Sequence, residues 1–175
     1  MENFIFIING SGTSGKDTVV ELVGNNFSKF YNIYNVSSID KVREAAKILG
    51  WSGAKDDNDR EFLHQLKMLA SKHYNHSTNY MLSQIATFEG PYLGFFHIRE
   101  PEEIKSFKKI LTLSKVKVFT ILVERDNVKS FSNDADRNVK NFKYDFVIEN
   151  FGTKYDLECK VINLFYKFLY GRKRN

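Results

Sequence analysis

One cysteine and two prolines occur in 175 residues. A lone Cys159 has no partner for an internal disulfide, and no Cys/His spacing resembles a zinc site, so a disulfide-built mini-domain and a zinc module are both excluded. Long apolar runs are missing as well. None approaches the roughly 20 residues that span a bilayer, so no membrane partner is expected. The opening MENFIFIINGSG has neither a basic segment nor a small-residue cleavage site, and the expectation is a soluble, cytoplasmic protein. Repeats and low-complexity linkers do not interrupt the chain. Paired-carboxylate, Ser-His-Asp and Cys-His constellations are not visible either.

Apolar residues are plentiful, at 42% hydrophobic and 15% aromatic against 27% charged. That composition builds one real core and excludes disorder or a collagen-like chain. One domain over residues 1–175 is the expectation. The net charge of +5 raises the question of nucleic acid. Residues 1–88 balance nine basic against nine acidic side chains, whereas residues 89–175 hold seventeen against twelve. Three of the five excess charges are Arg172, Lys173 and Arg174 at the end of the chain, a tail expected to be solvated. No basic stripe interleaved with aromatics is evident, and no stable nucleic-acid partner is expected.

The periodicity alternates short apolar runs with helical stretches, a βαβ rhythm. Strands are predicted at Phe4–Asn9, Ile33–Ser37, Tyr92–Ile98, Lys117–Val123 and Tyr144–Glu149. Runs such as FIFII and VFTILV are apolar on both faces, as a parallel sheet covered by helices requires. Helices are predicted from Gly15 to about Lys29, Ile39–Leu49, Asp57–His73, Ser77–Phe88, Glu102–Leu113 and Lys154–Leu169. Pro101 suits a first helical turn. The stretch of about 50–88 holds two helical patterns and no strand, the place for a helical insertion that covers an acceptor.

The strongest signal is Gly10-Ser11-Gly12-Thr13-Ser14-Gly15-Lys16-Asp17-Thr18, directly after the first strand and opening the first helix. It satisfies G-x-x-x-x-G-K in the context that gives the pattern meaning. Glycines let the backbone curl so that successive N–H groups point inward, and the helix N-terminus adds partial positive charge at the same point. Lys16 then reaches the β- and γ-phosphates of a bound triphosphate. After Lys16 the usual Ser/Thr is replaced by Asp17, with Thr18 following. Either Asp17 through water or Thr18 serves Mg²⁺, and the sequence leaves both open.

Three further segments carry candidates. Ser38 and Asp40 fit the N-cap and polarised first turn of the second helix, and Arg43 lies on the face of Asp40 with a fork suited to phosphate. The third strand ends in His97-Ile98-Arg99-Glu100. P-loop proteins place an acidic residue at the end of such a strand to order the hydration of Mg²⁺, which makes Glu100 the candidate in the absence of an Asp. Arg99 points toward the crevice where open α/β sheets bind ligands, and His97 reads as a core histidine. In the 50–88 stretch, Arg60 and Lys55 are candidates for binding an acceptor phosphate, and Trp51, His64, His73, His76 and Tyr80 for stacking or for plain packing.

The segment around Ser38, Asp40 and Arg43 resembles the strand-to-helix turn of adenylate kinases and related nucleoside monophosphate kinases. Gly15-Lys16-Asp17-Thr18 is similar to the loop of phage-type deoxynucleoside monophosphate kinases and of animal-type phosphomevalonate kinases. The resemblance implies a three-layer α/β P-loop fold with a five-stranded parallel sheet in the order 2-3-1-4-5. It implies that Arg43 and Arg99 grip an acceptor monophosphate. A short lid at about 125–140 would supply Arg125 and Arg137 to the moving phosphoryl group, although surface salt-bridging explains Arg137 equally well. Asn150-Phe151-Gly152-Thr153 resembles the Asn-x-Gly-Ser/Thr turn that approaches the nucleotide base in many P-loop kinases, and Thr153 would also cap the last helix.

The function expected on this basis is ATP-dependent, Mg²⁺-assisted phosphorylation of a (deoxy)nucleoside monophosphate by a monomer or homodimer whose partners are small nucleotides. A kinase of another phosphorylated metabolite, such as phosphomevalonate, and a nucleotide-binding module without transfer are the alternatives.

Overall fold

The computed structural model describes residues 1–54, 56–125 and 138–171. Arg137, most of the expected lid at 125–140, Lys55 and the basic tail at 172–174 lie outside the described residues.

Five strands, β1 (Phe4–Asn9), β2 (Asn32–Ser37), β3 (Tyr92–His97), β4 (Lys117–Glu124) and β5 (Phe146–Glu149), form one sheet in the order β2-β3-β1-β4-β5. This is the order that the resemblance implied. β1 runs parallel to β3 and to β4, and β4 to β5. The central strand is buried along its whole length, which is why it reads as an unbroken apolar run.

Side chains alternate across the sheet. Phe4, Phe6 and Ile8 join Leu93, Phe95, Ile121, Val123 and Ile148 in a core completed by α1 (Lys16–Phe27) and the last helix, α6 (Lys154–Tyr170). Phe6 is its centre, with Phe165 at 5.0 Å and Phe95 and Phe168 each at 5.4 Å between ring centroids. Each such pair adds about 0.5–1.5 kcal/mol beyond the area it buries. On the opposite face Phe96 packs on Phe107 of α5 (Pro101–Leu113) at 5.3 Å. Helices thus cover both faces, and Pro101 starts α5 as its fixed φ allows.

The chain separates into two compact units. One comprises Met1–Asn35 with Glu89–Asn175, the other Val36–Phe88. The second holds α2 (Asp40–Ile48), α3 (Asp57–Tyr74) and α4 (His76–Ile85), and so takes in α2 as well as the helical pair expected at 50–88. It has a small core of its own, Val42, Ala46 and Leu63, against which Ile39, Trp51 and Leu66 pack.

β5 begins two residues later than its apolar pattern predicts, for a physical reason. The Asp145 carboxylate accepts from the N–H and the hydroxyl of buried Thr120, each at 2.8 Å, while the Asp145 N–H donates to Thr120 Oγ1 at 2.9 Å. Side chains replace the ladder there. Lys108 Nζ donates to the same carboxylate at 2.8 Å.

Burial pushes the Asp145 carboxyl up, but the bonds from Lys108 and Thr120 outweigh it and hold the group below the usual carboxylate value. A carboxyl depressed in the folded state stabilises the fold at pH above its unfolded pKa of about 3.9 and loses that contribution as pH falls through its folded value. Urea midpoints of wild type and D145N, measured from pH 7 to pH 2.5, are expected to differ most at neutral pH and to converge below about pH 4. Parallel curves over the whole range would show that Asp145 is not tied in this way.

Candidate functional site

The site is built on the end of β1. Asn9 is fully buried although it closes an apolar strand, and it meets that cost by using its whole side chain. Its Oδ1 accepts the Gly10 N–H at 2.8 Å, and its Nδ2 donates to the Arg99 carbonyl at 3.0 Å and to Tyr144 Oη at 2.7 Å. The Tyr144 O–H in turn donates to the Val139 carbonyl at 2.9 Å. Burial pushes the Tyr144 phenol up to about 12, against the opposing effect of the Asn9 bond, so it remains a donor at every physiological pH. Neither residue stood among the sequence candidates. The available signal was a polar residue closing the run FIFII.

From Asn9 the chain turns through the glycine-rich loop into α1. Gly10 has φ +151°, and a Cβ there would collide with the Val123 carbonyl oxygen. Gly15 has φ +101°, and its Cβ would lie 2.5 Å from Asn150 Nδ2. Only glycine meets both demands. Thr13 holds φ +65°, a left-handed conformation that costs a β-branched residue about 1–3 kcal/mol. Two contacts hold the strained loop. The Asn150 side chain donates to the Ser14 carbonyl at 2.9 Å while its backbone N–H donates to the Glu124 carbonyl at 2.7 Å, and Ser14 N–H closes a turn onto the Ser11 carbonyl at 3.2 Å.

Lys16 folds back over this loop. Its Nζ donates to the carbonyls of Gly10 at 2.6 Å and Ser11 at 2.9 Å. The ammonium, the loop amides and the α1 N-terminus therefore converge, the composition of an anion site. Ser14 is fully buried, and among the described residues its Oγ has no hydrogen-bond partner. A buried hydroxyl left unsatisfied costs about 1–3 kcal/mol, and a bound phosphate oxygen would satisfy it. Arg125 stands at the loop's flank, its Nη1 3.5 Å from the Thr13 carbonyl. Ser11, Glu124, Arg125, Val139 and Phe151 line a small cavity of about 90 Å³, and Lys160 Nζ sits 5.9 Å from the Phe151 ring centroid. A larger cavity, about 380 Å³, is lined by α5 lysine stems and Phe142 and by no residue of the loop.

The remaining candidates of this unit lie around the same strand ends. Asp17 exposes 91% of its side chain in the first turn of α1, and Thr18 behind it is half-buried. Glu100 occupies the N-cap position of α5, where its carbonyl accepts the Ile104 N–H at 3.0 Å. Arg99 is half-buried, its carbonyl fixed by Asn9. Gly12 lies partly buried between Ser11 and Thr13. Gly152 leaves room for the capping box of α6, in which the Thr153 and Asp156 side chains each take the other's backbone N–H; a Cβ on Gly152 would fall 2.6 Å from Asp156 Oδ2. Among the described residues no group of three His, Cys, Asp or Glu side chains could hold a metal ion. A divalent cation is compatible with Asp17, Thr18 or Glu100 only if phosphate and water supply most of its ligands, which is how Mg²⁺ is commonly held.

Ser38, Asp40, Arg43 and Arg60 belong to the other unit. Asp40 reaches back to accept the Ser37 N–H at 2.7 Å, and Arg43 Nη1 donates to its other oxygen at 3.4 Å. Half of the Arg43 side chain is exposed. Ser38 is buried but does not cap α2: Ile39 holds the cap position, and no side chain caps the helix there, because the Asp40 carboxylate ties the turn instead. Arg60 forms a loose pair with Asp57 at 3.7 Å.

No family model matches the sequence, and no curated protein matches it. Solved structures do. The tunicamycin resistance protein of Deinococcus radiodurans superposes with a TM-score of 0.53 at 11% identity, over 94% of this chain and 96% of that one. The APS kinase CysC of Mycobacterium tuberculosis superposes with a TM-score of 0.51 at 14% identity, over 94% and 97%. At these identities the likeness is one of fold alone, a parallel α/β sheet with a glycine-rich loop between its central strand and first helix.

Proposed function

We propose that the chain transfers the γ-phosphoryl group of ATP to a small phosphorylated acceptor, a nucleoside or deoxynucleoside monophosphate. The observation that carries this reading is the Lys16 ammonium folded onto the Gly10 and Ser11 carbonyls inside a positive-φ loop. On this reading a triphosphate displaces those carbonyls from Lys16. Its β- and γ-phosphate oxygens take over the ammonium, the loop N–H groups and Ser14 Oγ.

The chemistry asks for positioning and charge more than for covalent work. An oxygen of the acceptor monophosphate attacks Pγ, the bond from Pγ to the β-phosphate bridging oxygen breaks, and a diphosphate leaves on each side. Arg43 and Arg99 are assigned to the acceptor phosphate, with Ser38, Asp40 and Arg60 around it. Lys16 and Arg125 are assigned to the charge that develops on the transferred group, together with Arg137. Asn150 and Gly152 are assigned to the donor's nucleoside end, beside the cavity of Arg125 and Phe151. Mg²⁺, when bound, neutralises phosphate charge and orients the triphosphate; Asp17, Thr18 and Glu100 are the residues assigned to its hydration shell.

Coupled turnover over a panel of nucleoside monophosphates with ATP is expected to find at least one acceptor. ATP binding without turnover on any of them would leave a nucleotide-binding module. Because hydrogen bonds to charged groups contribute about 1.5–3 kcal/mol, K16A is expected to weaken ATP binding roughly 10- to 100-fold by calorimetry. R43A should raise the acceptor KM at least about tenfold while leaving the ATP KM within about twofold, since its fork addresses one phosphate; equal effects on both would remove Arg43 from the acceptor site. N150A frees the Ser14 carbonyl, and at about 1 kcal/mol for that bond the ATP affinity should fall some fivefold with little change in Tm.

A further inference from the structure

We propose that the outward face of α6 is the interface of a homodimer, in which two copies of the helix pair antiparallel about a two-fold axis beside Asn163. None of the residues on this face lies in the phosphate loop or is assigned to a substrate above, so the kinase reading neither supports nor requires the dimer.

α6 covers the sheet with Leu157, Val161, Phe165 and Phe168, all buried. The side of a surface helix that faces away from the core is ordinarily charged. Here it is not. Tyr155, Cys159, Asn163, Tyr166 and Tyr170, all exposed, follow one another at steps of four, four, three and four residues, which places them on one side of the helix. Tyr155 is 73% exposed, Tyr166 61% and Tyr170 36%. Four of these side chains are paired before any partner arrives: Tyr155 contacts Cys159, and the Tyr166 and Tyr170 rings lie 4.9 Å apart. Side chains already ordered lose little freedom on association, and Tyr is enriched where proteins meet.

The spacing selects a second copy as the occupant. Measured from the midpoint between Ile162 and Asn163, Tyr155 and Tyr170 stand at equal distances on opposite sides, and so do Cys159 and Tyr166. A two-fold axis through that midpoint and perpendicular to the helix sets Tyr155 of one copy against Tyr170 of the other, Cys159 against Tyr166, and Asn163 against its own counterpart. Charge favours the same direction. Asp156 in the first turn and Lys167 in the last are exposed on one flank of the stripe. Antiparallel pairing brings each Asp156 to within about 3 Å, along the helix axis, of the other copy's Lys167. The cap contacts of Asp156 use Oδ2, so Oδ1 can take that ammonium. Lys160, on the same flank, is already neutralised by Glu149 at 3.6 Å. Parallel pairing would instead set Asp156 against the other copy's Glu158 and align the two helix dipoles, both unfavourable.

The size of the face sets the strength of the dimer. With 17 residues, α6 is about 25 Å long. One helix pair of that length covers less than the roughly 800 Å² per partner of a standard interface, so the dimer is a weak one, with a Kd on the order of 10–100 µM.

Sedimentation equilibrium of the reduced full chain between about 2 and about 500 µM is expected to show a monomer–dimer equilibrium with its midpoint in that range. Y166E should raise Kd at least about tenfold and K167E at least about threefold, with circular dichroism unchanged and Tm within about 2 °C, since both side chains are exposed and outside the core. Cross-linking reads the geometry. In a C159S background, which removes the only thiol, oxidation should join N163C to its own copy. Y155C should not join to its own copy, which stands roughly 22 Å away along the axis, but an equimolar mixture of Y155C and Y170C should give the mixed dimer. A monomer across the whole concentration range, whether or not it binds anionic lipid vesicles or another protein, overturns the proposal. So does a dimer that Y166E leaves intact, or one in which Y155C joins to its own copy. Turnover enters none of these readouts, so their outcome is separate from that of the kinase reading.

Discussion

The phosphate loop depends on a buried asparagine. Asn9 ends the central strand, and its three hydrogen bonds fix the first residue of the loop, the carbonyl of Arg99 after β3, and Tyr144 ahead of β5. Every polar atom of the side chain is used, so burial carries no unpaired group. With Tyr144 bonded onward to Val139, the polar chain crosses the sheet end from the third strand to the approach of the fifth. Such a network in a low-dielectric surrounding rigidifies what it joins. An apolar residue at position 9 would leave the Gly10 N–H, the Arg99 carbonyl and the Tyr144 oxygen to find other partners.

Rigidity matters because the loop above Asn9 is strained. Thr13 sits in a left-handed conformation, and Gly10 lies so near β4 that a Cβ there would collide with the Val123 carbonyl oxygen. The loop also gathers positive charge from the Lys16 ammonium and the helix end. Conformational strain and converging donors both raise the energy of the empty loop relative to one holding an anion. Strain of this kind persists where the surroundings over-determine it, and here the surroundings are Asn9 below and Asn150 at the side. The Ser14 hydroxyl, buried and without a partner among the described residues, belongs to the same account.

Much of this was legible in the sequence because it is local. The G-x-x-x-x-G-K run needs only seven contiguous residues, Gly10 to Lys16, and the two-sided apolar strands announce a parallel sheet without knowledge of their partners. The parts that escaped are contacts between distant segments. Asn9 meets Arg99 and Tyr144 across 90 and 135 residues, and Asn150 meets Ser14 across 136. No periodicity encodes such pairs. Local rules also misled in two places. Ser38 has the chemistry of an N-cap, but Asp40 ties that turn to Ser37, and the apolar pattern of β5 reaches back to Tyr144, where Asp145 and Thr120 substitute side chains for the ladder. His97 read as a core histidine because its neighbours in sequence are apolar; its proximity to Asp17 exists only once β1 and β3 are in register.

The charge of the chain has the same logic of place over quantity. Several of its described cations are neutralised nearby: Lys41 by Glu44, Lys105 by Glu102, Lys154 by Glu21, Lys160 by Glu149. These exposed pairs contribute little to stability, about 0–1 kcal/mol each, and they cancel at long range. Lys16 differs in kind, since it donates to backbone carbonyls held in a curled loop. Carbonyl oxygens are neutral acceptors, and an anion of two or more charges outcompetes them for an ammonium in a partly buried site. The net +5 is therefore a poor guide to what the protein meets, whereas one lysine with replaceable partners, set on a helix N-terminus, is the feature on which the proposed phosphate site rests.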